Sequence, residues 1–129
     1  MRYKWLLALT IIIVVAIVIT NYLGFFTSDF SLNNGKPLVA ITYPADGATV
    51  SKLVMISGTA DSSDADNAIQ SVQIKIDGNN WVTTTGTKSW SYDWTTYSLS
   101  NGQYNISARS YNGKDYSEII SISIHLPRQ

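Results

Sequence analysis

Apolar residues follow two different patterns along this chain. From Trp5 to Ile19 they are continuous, and Thr10 is the only polar side chain. Thr20 and Asn21 interrupt the run, which resumes at Tyr22, Leu23, Gly24, Phe25 and Phe26. From Leu38 onward the apolar positions alternate with polar ones. A membrane span needs ~20 mostly apolar residues, and residues 5–26 meet that length. Inside lipid every backbone group must bond within its own segment, so a transmembrane α-helix is expected there despite the β-branched side chains. Trp5 and the Tyr22, Phe25, Phe26 group then mark the two interfaces. A cleaved signal peptide has a shorter apolar region and small residues at its cleavage site. The length of this run, with no A-x-A pattern after it, favours an uncleaved signal anchor. Arg2 and Lys4 keep residues 1–4 in the cytoplasm by the positive-inside rule. The chain after Phe26 is expected on the extracytoplasmic side of the cell membrane.

Residues 27–37, TSDFSLNNGKP, are polar, turn-rich and without period, and read as a tether. The period of two begins at Leu38. Val39 and Ile41 alternate with Ala40 and Thr42. PADG makes a turn. Val54, Ile56 and Gly58 alternate with Leu53, Met55 and Ser57, and Val72, Ile74 and Ile76 with Gln73 and Lys75. DGNN turns into a strand over 81–84. Trp90, Tyr92 and Trp94 share one face of the next strand, with Ser89, Ser91 and Asp93 on the other. After SNG, Tyr104, Ile106 and Ala108 alternate with Asn105, Ser107 and Arg109. Asn112-Gly113 is the strongest hairpin signal in the chain. Ile120, Ile122 and Ile124 close the pattern. About seven short strands at ~8–12-residue spacing, with no helical period, predict an all-β, seven-stranded immunoglobulin-like sandwich over residues 38–126, with 127–129 as a tail. Leu99, Gly102 and Tyr104 form L-x-x-G-x-Y where the chain enters the sixth strand, the position of a tyrosine corner. Strands that alternate up and down place the loops after strands one, three and five at one pole and the others at the opposite pole. Trp90, Tyr92 and Trp94 are expected to fill the core, since a domain of ~90 residues without disulfides needs large side chains.

ITYPADGATVSKLVMISGTADSSD, IQSVQIKIDGNNW, WSYDW, LSNGQYNISARSYNG and YSEIISISI together resemble the immunoglobulin-like module of bacterial and archaeal surface and secreted proteins. The resemblance runs from about Leu38 to Leu126. It implies a stalk, spacer, adhesive unit or accessory domain rather than a chemistry of its own.

Composition narrows the partners. Nine basic and nine acidic residues cancel, and no basic stripe exists to hold nucleic acid. There is no cysteine, which removes disulfides, thiolate metal sites and cysteine nucleophiles. Asp61, Asp64 and Asp66 lie in one loop, and close oxygen ligands of this kind are a candidate calcium site. Their spacing does not fit an EF-hand, and aspartate is also a common turn former. No other cofactor is indicated. Asn105 heads the only N-x-S/T sequon and points outward, a glycosylation candidate. His125, the only histidine, sits on the polar face of the last strand, and Asp93, Asp115 and Glu118 show no catalytic spacing. No catalytic residue is therefore assigned, and the protein is expected not to be an enzyme. Tyr97, Asp77, Asn79 and Asn80 at the pole away from the tether are the candidate interaction residues. Trp81, Tyr111 and Tyr116 are the other aromatics expected to be partly exposed.

These features point to a membrane-anchored, extracytoplasmic domain for protein–protein interaction or adhesion. The lipid bilayer contacts residues 5–26, the protein partner is an unidentified surface or membrane protein, and self-association is compatible with the layout. Two alternatives share the features. A pilin-like filament subunit also joins an apolar helix to a β-sandwich head. An anchored carbohydrate-binding module would use the aromatics.

Overall fold

The computed structural model describes residues 35–128. The expected transmembrane helix at 5–26 and most of the tether lie outside the described residues. Among the described residues no helix is long and apolar enough to cross a membrane.

Eight strands follow one another: β1 (Pro37–Tyr43), β2 (Leu53–Ser62), β3 (Ser71–Ile76), β4 (Val82–Thr83), β5 (Thr85–Gly86), β6 (Ser89–Thr95), β7 (Gly102–Tyr111) and β8 (Ile120–Leu126). They form two four-stranded sheets, β1-β2-β6-β5 and β4-β3-β7-β8. Every strand pair is antiparallel. The alternation in sequence becomes the two faces of each sheet. Val54, Ile56, Trp90 and Trp94 point inward from the first sheet and meet Val72, Ile74, Ile106, Ala108, Ile124 and Leu126 from the second. Trp90 is 2% exposed and Trp94 7%, with Tyr92 packed against them. The aromatic strip of β6 is core filling, as its alternation with Ser89, Ser91 and Asp93 predicts.

The strand expected at 81–84 is shorter, Val82–Thr83 on the second sheet, and a further strand, Thr85–Gly86, follows on the first. Thr84 sits between them, buried, and both its backbone N–H and its hydroxyl donate to the Val72 carbonyl, at 2.9 and 3.1 Å. Bonded there on both groups, the chain leaves the second sheet and joins the first one residue later. Two-residue edge strands expose little unpaired backbone, which limits edge-to-edge pairing with other chains. On the other side of the sandwich, residues 47–50 run beside β8, with Val50 and Gly47 donating to the His125 and Ser123 carbonyls. They cover part of the β8 edge.

The ladder sets two poles. Pro37 pairs with Ser62 at one pole, and Gly102 pairs with Leu126 at the other. The first pole is tied together by Asn112, fully buried. Its amide nitrogen donates to the Gly35 carbonyl at 3.2 Å, and its oxygen accepts the Lys114 and Asp115 N–H groups. The Asn112-Gly113 turn signal is thus also a bolt between the start of the domain and the β7–β8 loop.

The tyrosine corner is present. The Tyr104 hydroxyl donates to the Ser100 carbonyl at 2.8 Å, and the ring meets Trp94 edge-on at 5.7 Å. Tyr104→Phe keeps the ring and removes only the hydrogen bond. It is expected to lower unfolding free energy by about 1 kcal/mol in urea titrations of the full chain. An unchanged midpoint would mean that the corner bond contributes nothing.

Candidate functional site

The sequence-predicted site residues lie on four segments, of which the β3–β4 turn and β7 meet through Asp77 and Asn105. Tyr97 (61% exposed) lies in the β6–β7 loop, and Asp77, Asn79 and Asn80 in the β3–β4 turn. Both loops are at the pole of Leu126, as the up-and-down topology predicts. Asp77 holds its own turn in shape. Its carboxylate accepts the Asn105 N–H at 2.8 Å, and its backbone takes a φ of 51°, a left-handed conformation that aspartate tolerates. Asn79 and Asn80 rim a small cleft of about 130 Å³ over Ile74, Ile76, Val82, Tyr92 and Trp94. Asn105 is exposed on the outer face of β7, between Asp77 and the β8 strand.

Asp61, Asp64 and Asp66 do not converge. Among the described residues no group of three carboxylate or histidine side chains could hold a metal ion. Asp64 instead organises its own loop, accepting the Asn67 amide at 2.7 Å and the Asp66 N–H at 3.0 Å. Those donors, the Asn67 side chain first, hold its carboxyl below the usual aspartate value. Asp61 accepts the neighbouring Ser62 N–H. The loop is built from aspartate used as a turn former.

A different set of residues meets on the outer face of the second sheet. Gln73 and Lys75 of β3 and Arg109 and Tyr111 of β7 alternate with buried neighbours, so all four point to solvent. The β3–β7 register puts Gln73 beside Arg109, and the Arg109 Nε–H donates to Gln73 Oε1 at 2.9 Å. The Arg109 guanidinium lies 4.3 Å from the Trp81 ring centre and 4.3 Å from that of Tyr116. Lys75 Nζ is 4.9 Å from the same Trp81 ring. Tyr111 packs on Tyr116 at 4.7 Å. Lys75, Trp81, Arg109, Tyr116 and Tyr111 thus form one row of cations and rings. Each contact of this type contributes about 0.5–1 kcal/mol where solvent reaches it and more where it does not.

The strands of the first sheet carry Asp61 and Asp93 and no Lys or Arg, while those of the second carry Lys75 and Arg109 and no acid. The charged residues that directly adjoin these strands are Lys36, Lys52 and Lys88 beside the first sheet and Asp77 beside the second. Among the described residues the ion pair is Lys36 with Glu118, so neither cation of the row is in one. Alternation alone identifies Lys75, Arg109 and Tyr111 as outward. What alternation cannot reveal is that β3 and β7 are neighbours, which brings Lys75 and Arg109 to one ring. Trp81 and Tyr116 lie outside the strands and carry no alternation signal.

Comparison with known proteins agrees with this architecture. Residues 37–108 match the family model described as bacterial Ig domain. No curated protein matches the chain. Among solved structures, the fibronectin(III)-like modules of Clostridium thermocellum CbhA align with a TM-score of 0.58 at 26% identity, over 70% of this chain and 46% of that one. The endo-beta-1,4-mannanase of Thermotoga petrophila aligns with a TM-score of 0.58 at 15% identity, over 73% of this chain and 20% of the other. An engineered protein aligns with a TM-score of 0.54 at 22% identity, over 72% and 20%. The chain therefore spans less than half the length of each of these three.

Proposed function

The chain belongs to the bacterial Ig domain family, and from that premise we propose that it is a non-catalytic binding module for protein–protein interaction or adhesion. Residues 5–26 anchor it in the cell membrane and the sandwich is displayed on the extracytoplasmic side. The observation that carries the binding role is the row Lys75–Trp81–Arg109–Tyr116 on a sheet whose strands carry no acid. Aromatic residues and arginine are the side chains most enriched in protein interfaces, and lone surface rings would carry no such weight. The apolar run with Arg2 and Lys4 before it supports the anchor and its orientation.

A carbohydrate-binding reading draws on the same rings. The likeness to a mannanase extends to the fold alone at 15% identity. Sugar rings stack on open aromatic faces, and here the Trp81 ring is approached by both cations and the Tyr116 ring by Arg109. The protein-binding reading is the better fit.

Two measurements on intact cells test it. Added protease is expected to digest the sandwich; resistance before lysis and cleavage after it would refute outward display. A photoreactive residue at Ser71, on the outer face of β3 beside Tyr111, is expected to crosslink a partner. The same residue at Thr59, on the opposite sheet, is not. Crosslinks from Thr59 alone would refute this face as the binding surface.

A further inference from the structure

The row on β3 and β7 has chemistry that selects its ligand. Arg109 presents five N–H donors, and only Nε–H is used within the described residues. The remaining donors lie on the two terminal nitrogens, whose fork matches a carboxylate. The rings of Trp81 and Tyr116 and the amide of Gln73 hold the guanidinium in place. Lys75 adds a second cation on the same ring. Both cations are half-buried, in a setting where charge is screened less than in open water. The strands of this sheet carry no acid, and neither cation forms an ion pair with a described residue, Glu118 of the β7–β8 loop being paired with Lys36.

Resting on the reading that this face binds a partner, we propose that Lys75 and Arg109 form a carboxylate receptor that takes an acidic peptide segment of a protein. Arg109 binds one carboxylate by donating two parallel N–H···O bonds to it. Lys75 takes a second as a point charge, and their shared ring keeps the two within reach of one short segment. Trp81 and Tyr116 are positioning residues that fix the guanidinium plane before the ligand arrives. Gln73, in its bond to Arg109, orients the fork. A peptide is favoured over an acidic glycan because the cations, not the ligand, occupy the ring faces.

The test uses the purified full chain in detergent and three fluorescent probes read by anisotropy: hexaglutamate, hexaglutamine and an oligogalacturonate. Hexaglutamate is expected to bind at least about tenfold tighter than hexaglutamine, and to weaken as salt rises. Lys75→Gln and Arg109→Gln should each weaken it about fivefold or more. Arg109→Lys keeps the charge but loses the fork, and should recover only part of the affinity. Trp81→Ala changes no charge and should still weaken binding about threefold, because the cations lose their support. Near-UV circular dichroism confirms that each variant is folded, and Lys75→Gln, at a surface position, keeps the test readable if Arg109→Gln is not. Equal binding of hexaglutamate and hexaglutamine, or binding that survives both glutamine variants, overturns the proposal. So does oligogalacturonate binding without hexaglutamate binding. If hexaglutamate fails while Ser71 still crosslinks a partner, the ligand class is wrong and the binding face stands.

Discussion

Trp90→Ala is expected to remove about 3–5 kcal/mol of the domain's stability. The indole is 2% exposed and sits on β6 between a glycine on each neighbouring strand, Gly58 on β2 and Gly86 on β5. Its Nε1–H donates to the Thr59 carbonyl at 3.2 Å. Truncation removes the largest fully buried side chain of the sandwich, leaves a cavity, and loses that hydrogen bond. Such substitutions cost about 3–5 kcal/mol, against a total of roughly 5–15 kcal/mol for a domain. The measurement is a denaturant titration of the full chain followed by tryptophan fluorescence and far-UV circular dichroism. A cooperative transition near the wild-type midpoint would show that the ring is not part of the core, and would reopen the reading of β6 as a ligand platform. Trp90→Phe, which keeps a ring, should fall between the two.

The second large effect is expected at Gly58. A Cβ built there would fall 2.5 Å from Trp90 Cζ2 and 2.8 Å from Cε2, and would overlap the Ala40 carbonyl oxygen. The ring can shift; the β1 backbone is held by its ladder to β2. Gly58→Ala should therefore cost about 3 kcal/mol or more, beyond the usual range for overpacking, and Gly58→Val should give no folded protein. A double variant, Gly58→Ala with Trp90→Leu, distinguishes the two obstructions. Removing the indole should make Gly58→Ala less damaging than it is alone, a coupling expected of residues in contact. The remaining loss comes from the Ala40 carbonyl. Strict additivity of the two changes would mean that ring and glycine do not touch.

The family resemblance and the alternation together carry the fold a long way. Val54-x-Ile56, Val72-x-Ile74 and Trp90-x-Tyr92-x-Trp94 each become an inward face, because a two-layer sandwich offers a strand only one dry side. L-x-x-G-x-Y becomes the corner bond of Tyr104 to Ser100. The fourth strand is less legible, since the switch of sheets depends on Thr84 reaching the Val72 carbonyl twelve residues away. At Asp61, Asp64 and Asp66 three acids in one loop suggest a shared ligand, and the structure adds what spacing does not show. Asp64 turns its oxygens to Asn67 and Asp66, the nearest donors in its own turn.

Function shows the same division. Which side chains of each strand face water is a local property of backbone pleating, so the sequence by itself determined that Lys75, Arg109 and Tyr111 are outward and that Trp90 and Trp94 are not. Local order also set the two poles and the turn chemistry of Asn112-Gly113. Which outward residues become neighbours is non-local. Only the tertiary structure decided that β3 lies beside β7, with Trp81 crossing from one flank and Tyr116 folding in from the β7–β8 loop. Pairing of residues thirty to forty positions apart in sequence is set by the packing of the whole core, and no short window of the chain encodes it.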